Sequence, residues 1–220
     1  MFDAQYEKQT RLLLSLLPDL EQHACFALKG GTAINFFVQE MPRVSVDIDL
    51  AYLPLKPREE ALAEMSEQLQ AFADGALRGT SGVRIRKHYS DGQVIRATVE
   101  TPEATFKIEP NTIFRGCVYP TLNRDLADTA QQRFGLYVRV RTLSTADLYG
   151  GKLCAALDRQ PPRDLFDVNV LMETGGDYAG DPSRVRGIPC GTQSAHERVA
   201  GSASQGHQRS LSRPLPGDDA

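Results

Sequence analysis

A chain of 220 residues with 41% hydrophobic content has the length and apolar fraction for one domain, or one domain with an extension. Its formal net charge of −3 excludes a general electrostatic footprint for nucleic acid, so any polyanion has to be held by a local site. No stretch approaches the about 18 apolar residues of a membrane span and the charged N-terminus has no signal-peptide pattern, which predicts a soluble, cytoplasmic protein with no membrane partner.

In chain order, the apolar cluster of Tyr6–Leu20 predicts a helix stopped near Pro18. "CFALKG" reads as a short strand and Gly30-Gly31 as a turn. Thr32 to Met41 then fits a helix that Pro42 ends. "VSVDIDLAYL" alternates in its first half, as a strand does. A long amphipathic helix follows, with Pro57 in its first turn and acidic residues early, both favourable there. Three strands are predicted near Val83–Tyr89, Val94–Glu100 and Ala104–Ile113, the first two joined by a hairpin turn at Asp91-Gly92. "VRVRTLS" is a further candidate strand. "STADLYGGKLCAALDRQ" is a helix capped by Ser144 or Thr145, and "PPRDLFDVNVLME" is another, entered through Pro161 and Pro162. The four cysteines, Cys25, Cys117, Cys154 and Cys190, form no C-x-x-C pair and read as isolated thiols in a reducing compartment. Neither they nor His23, His88, His196 and His207 have zinc-ligand spacing.

The informative oddity is "SVDIDL". Asp is poor in strands, and residues i and i+2 share a face, so Asp47 and Asp49 set two like charges side by side. A divalent cation between them resolves the conflict, because Mg²⁺ takes one or two carboxylates together with phosphate oxygens. Just upstream, Gly30-Gly31 opens a helix whose backbone N–H groups suit a phosphate. Together they point to a nucleoside triphosphate (NTP) lying between the glycines and the metal. On a later strand, "KIEPN" offers Glu109 as a third carboxylate, with Lys107 on the same face.

"LKGGTAINFF" and "RVSVDIDL", then "KIEPNTIFRG", then "DLYGGKLCAALDRQPPRDLFDV" resemble the AbiEii-type nucleotidyltransferase toxins of type IV toxin–antitoxin systems, within the polymerase-β-like nucleotidyltransferase superfamily. The resemblance covers roughly Leu28 to Glu173. It implies an α+β fold, a mixed sheet flanked by helices. The expected organisation is a nucleotidyltransferase core with its N-terminal helix over residues 1–143, and a helical C-terminal part over 144–175 that reads as truncated. It also implies roles. Gly30 and Gly31 bracket the triphosphate, and Ser45 orients a phosphate or a metal-bound water. Asp47, Asp49 and Glu109 bind Mg²⁺ or Mn²⁺, with Glu109 also a candidate base. Lys107 contacts acceptor or phosphate, and Lys152 neutralises charge on the triphosphate. Asp164 matches the final acidic motif, supported by Arg163 or Asp167. Asp147 stands where the family has a longer acid, which leaves its role open.

Each residue also has a plainer reading. Lys107 fits an ordinary solvated strand position, Lys152 a surface charge paired with Asp147 or Asp158, and Asp164 a helix-start acid. Arg43 reads as a solvated turn charge outside the site.

The implied reaction is transfer of a nucleoside monophosphate from an NTP to a hydroxyl of RNA, a tRNA 3′ end, or a protein side chain, with release of pyrophosphate. The cell effect would be relieved by a cognate antitoxin. The clusters Arg84, Arg86, Lys87 and Arg139, Arg141 are candidates for a local basic strip. The alternatives are a small-molecule nucleotidyltransferase of the antibiotic-modifying kind and a non-catalytic nucleotide-binding protein. Residues 176–220 lack any period and read as a disordered tail, and the abrupt change of composition reads as a frameshift. A missing helical layer would then leave the "DLFDVNVLM" helix with an exposed apolar face.

Overall fold

The computed structural model describes residues 4–79 and 82–173. The expected tail, and with it the frameshift reading, lies outside the described residues. The chain begins with helix α1 (Ala4–Leu16), which buries Leu13, Leu14 and Leu16. Pro18 lacks an N–H for a further α-turn, and the chain tightens there into a 3-10 helix, Leu17–Gln22. Strand β1 (Phe26–Lys29) runs through the core, with Phe26, Ala27 and Leu28 fully buried.

Helix α2 (Gly30–Phe37) corrects two expectations. Both glycines belong to its first turn, and it ends at Phe37, well before Pro42. There the Ile34 carbonyl accepts from both Val38 N–H (3.3 Å) and Gln39 N–H (2.8 Å), and Met41 takes a left-handed φ of 54°. Strand β2 (Ile48–Tyr52) is also shorter than expected. Asp49 lies inside it, but Asp47 stands in the extended segment just before it.

Helix α3 (Arg58–Gly79) leads to strands β3 (Arg84–Ser90), β4 (Gln93–Glu100) and β5 (Thr105–Arg115). Asp91 and Gly92 both have positive φ, 49° and 78°, the signature of a type I′ hairpin turn. Two elements went unread in the sequence: strand β6 (Leu122–Asp125) and helix α4 (Asp128–Phe134). Strand β7 (Arg139–Thr142) precedes helices α5 (Thr145–Arg159) and α6 (Pro162–Glu173).

The strands form one mixed sheet in the order β3-β4-β5-β2-β1-β7-β6. β2 pairs parallel with β5 and antiparallel with β1, while β1 pairs parallel with β7. Alternation sorts the two faces. Ala97, Val99, Phe106 and Ile108 are buried, as are Leu69, Phe72, Ala73 and Ala76 of α3, and α3 packs on β4. The opposite face carries Asp49, Glu109, Lys107, Thr98 and Arg96.

β3 is an edge strand, and β7 lies five positions from it in the order, next to the other edge. The two arginine clusters therefore sit toward opposite ends of the sheet and form no continuous strip. Several members are also paired: Arg86 with Glu100 (2.9 Å), Lys87 with Asp74 (2.9 Å) and Arg139 with Asp125 (3.8 Å).

The outer face of α5 and α6 exposes Leu157, Leu165, Phe166 and Met172. Among the described residues, no helix is long and apolar enough to cross a membrane. Cys25 is a buried free thiol and Cys117 an exposed one. Cys190 lies outside the described residues.

Candidate active site

The central strands bring the expected carboxylates together. Asp49 on β2 is the direct parallel partner of Glu109 on β5, and the direct antiparallel partner of Lys29 at the end of β1. Asp47, one step outside the strand, reaches β5 as well: its Oδ1 accepts the Lys107 backbone N–H at 3.3 Å. Lys107 thus enters the site through its backbone, with an exposed side chain on the Glu109 face.

The glycine pair is packed against these acids. Gly30 has a φ of 72°, and a Cβ built there would overlap Asp49 Oδ2. A Cβ on Gly31 would lie 2.7 Å from Ser45 Oγ and 3.0 Å from Arg43 Nη2. Gly30, Gly31, Ser45 and Asp49 therefore share one small volume at the start of α2. Thr32 Oγ1 donates to the Asp47 carbonyl at 2.5 Å and pins the approach to β2.

Burial pushes the Asp49 carboxyl above its ordinary value, and the charges of Asp47 and Glu109 add to that, against the opposing charges of Lys29 and Lys152. The donors are all hard carboxylate oxygens, and the excess negative charge among them is what a bound divalent ion would relieve, so the residue types fit Mg²⁺ or Mn²⁺. Their present arrangement is incomplete. Both Glu109 oxygens accept from Arg96, from Nε at 2.9 Å and Nη2 at 2.8 Å. Among the described residues, no three His, Cys, Asp or Glu side chains are gathered to hold a metal.

A second, buried charge cluster stands behind the first. Asp167 of α6 is hydrogen-bonded by Arg43 through Nε (2.7 Å) and Nη2 (2.6 Å) and by Asn35 Nδ2 (3.3 Å), and it forms an ion pair with Lys152 (3.2 Å). Burial alone would raise the Asp167 carboxyl, but the Arg43 hydrogen bonds and the Arg43 and Lys152 charges outweigh it and hold it below its ordinary value. Lys152 Nζ also donates to Asp164 Oδ1 at 2.7 Å. Lys152 and Asp164 are thus partners of each other across α5 and α6, rather than separate surface charges. Arg43 belongs to this cluster, contrary to the solvated-turn reading, and Asp167 is its centre.

Asp147 has a structural place. Its backbone N–H is capped by Ser144 Oγ at 3.0 Å, and its carboxylate accepts the Val118 and Tyr119 N–H groups at 3.1 and 3.0 Å. It sits in the capped first turn of α5 and ties the loop between β5 and β6 to that helix. Arg43, Arg96, Asn35 and Lys29 were not read as site residues. Nothing local marks them, because their partners come from other strands and helices.

A mixed sheet of this order, with adjacent acidic strands behind a glycine-opened helix, has the architecture of a nucleotidyltransferase. The chain belongs to the nucleotidyl transferase AbiEii toxin family of type IV toxin–antitoxin systems, whose model matches residues 11–186. Among solved structures it is similar to MenT4, a nucleotidyltransferase toxin of Mycobacterium tuberculosis, at 19% identity and a TM-score of 0.57. That match covers 77% of this chain and 59% of MenT4, so the chain spans well under two thirds of that protein's length. The antibiotic-resistance factor ANT(2'')-Ia matches at 16% identity and a TM-score of 0.47, over 89% of this chain and 94% of that one. An antigenic nucleotidyltransferase-like protein from Paracoccidioides brasiliensis matches at 13% identity and a TM-score of 0.39, over 77% and 76%. At 19% identity the likeness to MenT4 is one of fold. No curated protein matches the sequence.

Proposed function

We propose that this chain transfers a nucleoside monophosphate from an NTP to an acceptor hydroxyl, with release of pyrophosphate, as the toxin of a type IV toxin–antitoxin pair. The observation that carries the reading is the cross-strand pairing of Asp49 with Glu109, with Gly30 packed onto Asp49. Membership of a nucleotidyltransferase family supports the reaction class. Asp47 and Asp49, with Glu109 as the third carboxylate, would hold Mg²⁺ or Mn²⁺, which neutralises developing charge on the phosphates.

The chain's own groups divide the remaining work. The first N–H groups of α2 at Gly30 and Gly31 cradle phosphate oxygens, and Ser45 Oγ, packed over Gly31, orients one of them. Lys152 carries positive charge toward the Asp49 side of the site, with Asp164 and Asp167 fixing its position. Lys107, exposed beside Glu109, is placed to meet the acceptor or a phosphate. Glu109 is the candidate base for the acceptor hydroxyl. RNA, with a tRNA 3′ end as the specific case, is the acceptor proposed, and a cognate antitoxin is the proposed partner.

Incubation with each labelled NTP, a divalent ion and total RNA tests this: label moves to RNA in the wild type. Asp47→Ala and Asp49→Ala are expected to lower transfer by several orders of magnitude, at about tenfold per 1.4 kcal/mol of lost charge stabilisation, while circular dichroism stays that of the wild type. Activity within a few-fold of wild type in both variants removes the reading. Transfer to a cationic antibiotic instead of RNA would favour the antibiotic-modifying alternative.

A further inference from the structure

The Arg96–Glu109 pair sits where the third cation ligand is needed. A planar guanidinium that donates from Nε and Nη2 occupies both oxygens of the carboxylate at once. Glu109 stands beside Asp49 in the sheet register, so the fork lies against the carboxylates that the proposed function assigns to the metal. Arg96 is also close enough for its charge to act on Asp47. Accessibility separates this pair from the cluster behind it. The Arg96 and Glu109 side chains are 36% and 42% exposed, whereas Arg43 and Asp167 are 17% and 1% exposed. A half-exposed pair exchanges partners at little cost, and a buried one does not.

We propose that Arg96 is a resident counter-cation that occupies Glu109 until a divalent ion displaces it, so that metal binding and release of the Arg96 fork are one exchange. This rests on the metal-dependent reading of Asp47, Asp49 and Glu109. Before the exchange, Arg96 offsets part of the repulsion between Asp49 and Glu109. After it, Glu109 is free to ligate or to accept a proton, and the guanidinium is released on the solvent face of β4. An ordinary cross-strand ion pair has the same appearance, since opposite charges on neighbouring strands stabilise a sheet. The two accounts differ in what happens to metal affinity.

The test is Mn²⁺ titration of the full chain, followed by electron paramagnetic resonance, in wild type, Arg96→Gln, Arg96→Lys and Asp49→Asn. Arg96→Gln is expected to bind Mn²⁺ about two- to fivefold more tightly, the range of a half-exposed ion pair. Arg96→Lys keeps the charge but cannot hold both oxygens in a fork, so it too is expected to bind more tightly than wild type. Arg96→Lys at wild-type affinity, with only Arg96→Gln tighter, assigns the effect to net charge and overturns the exchange. So does an Arg96→Gln affinity equal to or weaker than wild type. Asp49→Asn is expected to lose binding. If it binds as wild type does, the ion is not at these carboxylates, and the site reading falls along with the exchange.

Discussion

Gly30 and Asp49 compete for the same space, and that competition decides what each can be. With a φ of 72°, Gly30 adopts a left-handed conformation that side chains resist, and a Cβ there would run into the Asp49 carboxylate. Gly31 has no such φ, and its added Cβ would meet Ser45 Oγ and Arg43 Nη2, both ends of side chains. Gly30→Ala is therefore expected to cost about 1–3 kcal/mol in urea denaturation, because strained backbone and displaced carboxylate act together. Gly31→Ala is expected to cost less and to leave Mn²⁺ affinity closer to wild type. The reverse order in the two measurements would mean that Ser45 and Arg43, not Asp49, set the geometry at the start of α2. The pattern of Gly-Gly and S-x-D-x-D was legible in the sequence because its members lie within about twenty residues of each other. Arg43 was not, since its partner Asp167 is 124 residues away and a lone arginine after Pro42 looks like any solvated turn charge.

At the scale of elements, the buried charge cluster locks α6 onto α2 and the segment before β2. Removing Asp167 would strand Arg43, which is largely buried, and break one of the two Lys152 contacts. Asp167→Ala is expected to lower stability by about 3 kcal/mol at pH 7, the cost of leaving a buried charge without its partner. A loss under about 1 kcal/mol would mean that α6 is held by its apolar side instead. The sign of the pH dependence follows from the direction of the shift. The folded Asp167 carboxyl sits below its ordinary value of 3.8, so its contribution is complete above that value and is lost as pH falls through the folded one. Urea midpoints of wild type and Asp167→Asn should converge below about pH 4. Elements without a strong period were the ones the sequence concealed. β6 exposes most of its four residues and so has no alternation to read. α4 starts at Asp128, its N-cap Ala127 offers no side-chain hydrogen bond, and it buries only Ala130 and Phe134. α5, with Ser144 capping Asp147, and the hairpin at Asp91-Gly92 carried explicit chemical punctuation and were read correctly.

For the whole molecule, the question is how a chain of net charge −3 would hold RNA. An extended backbone track needs several adjacent, uncommitted cations. Here the arginine clusters lie toward opposite ends of the sheet, and Arg86, Lys87 and Arg139 are already paired with acids. The face between them carries Lys107 and Arg96 beside Glu109 and Asp49, a short patch of mixed charge rather than a groove. If RNA is the acceptor, it is engaged at its end over few phosphates. Each neutralised phosphate of a single strand contributes about 0.7 to the slope of log affinity against log salt, so contact with two or three phosphates gives a slope between about −1.4 and −2.1. Fluorescence anisotropy of a labelled RNA 3′ end, titrated between low and moderate salt, reads this directly. A slope steeper than about −4 would require a longer basic track than the described residues provide. In that case Lys107→Gln, expected here to reduce the slope by about one phosphate's share, would change it little.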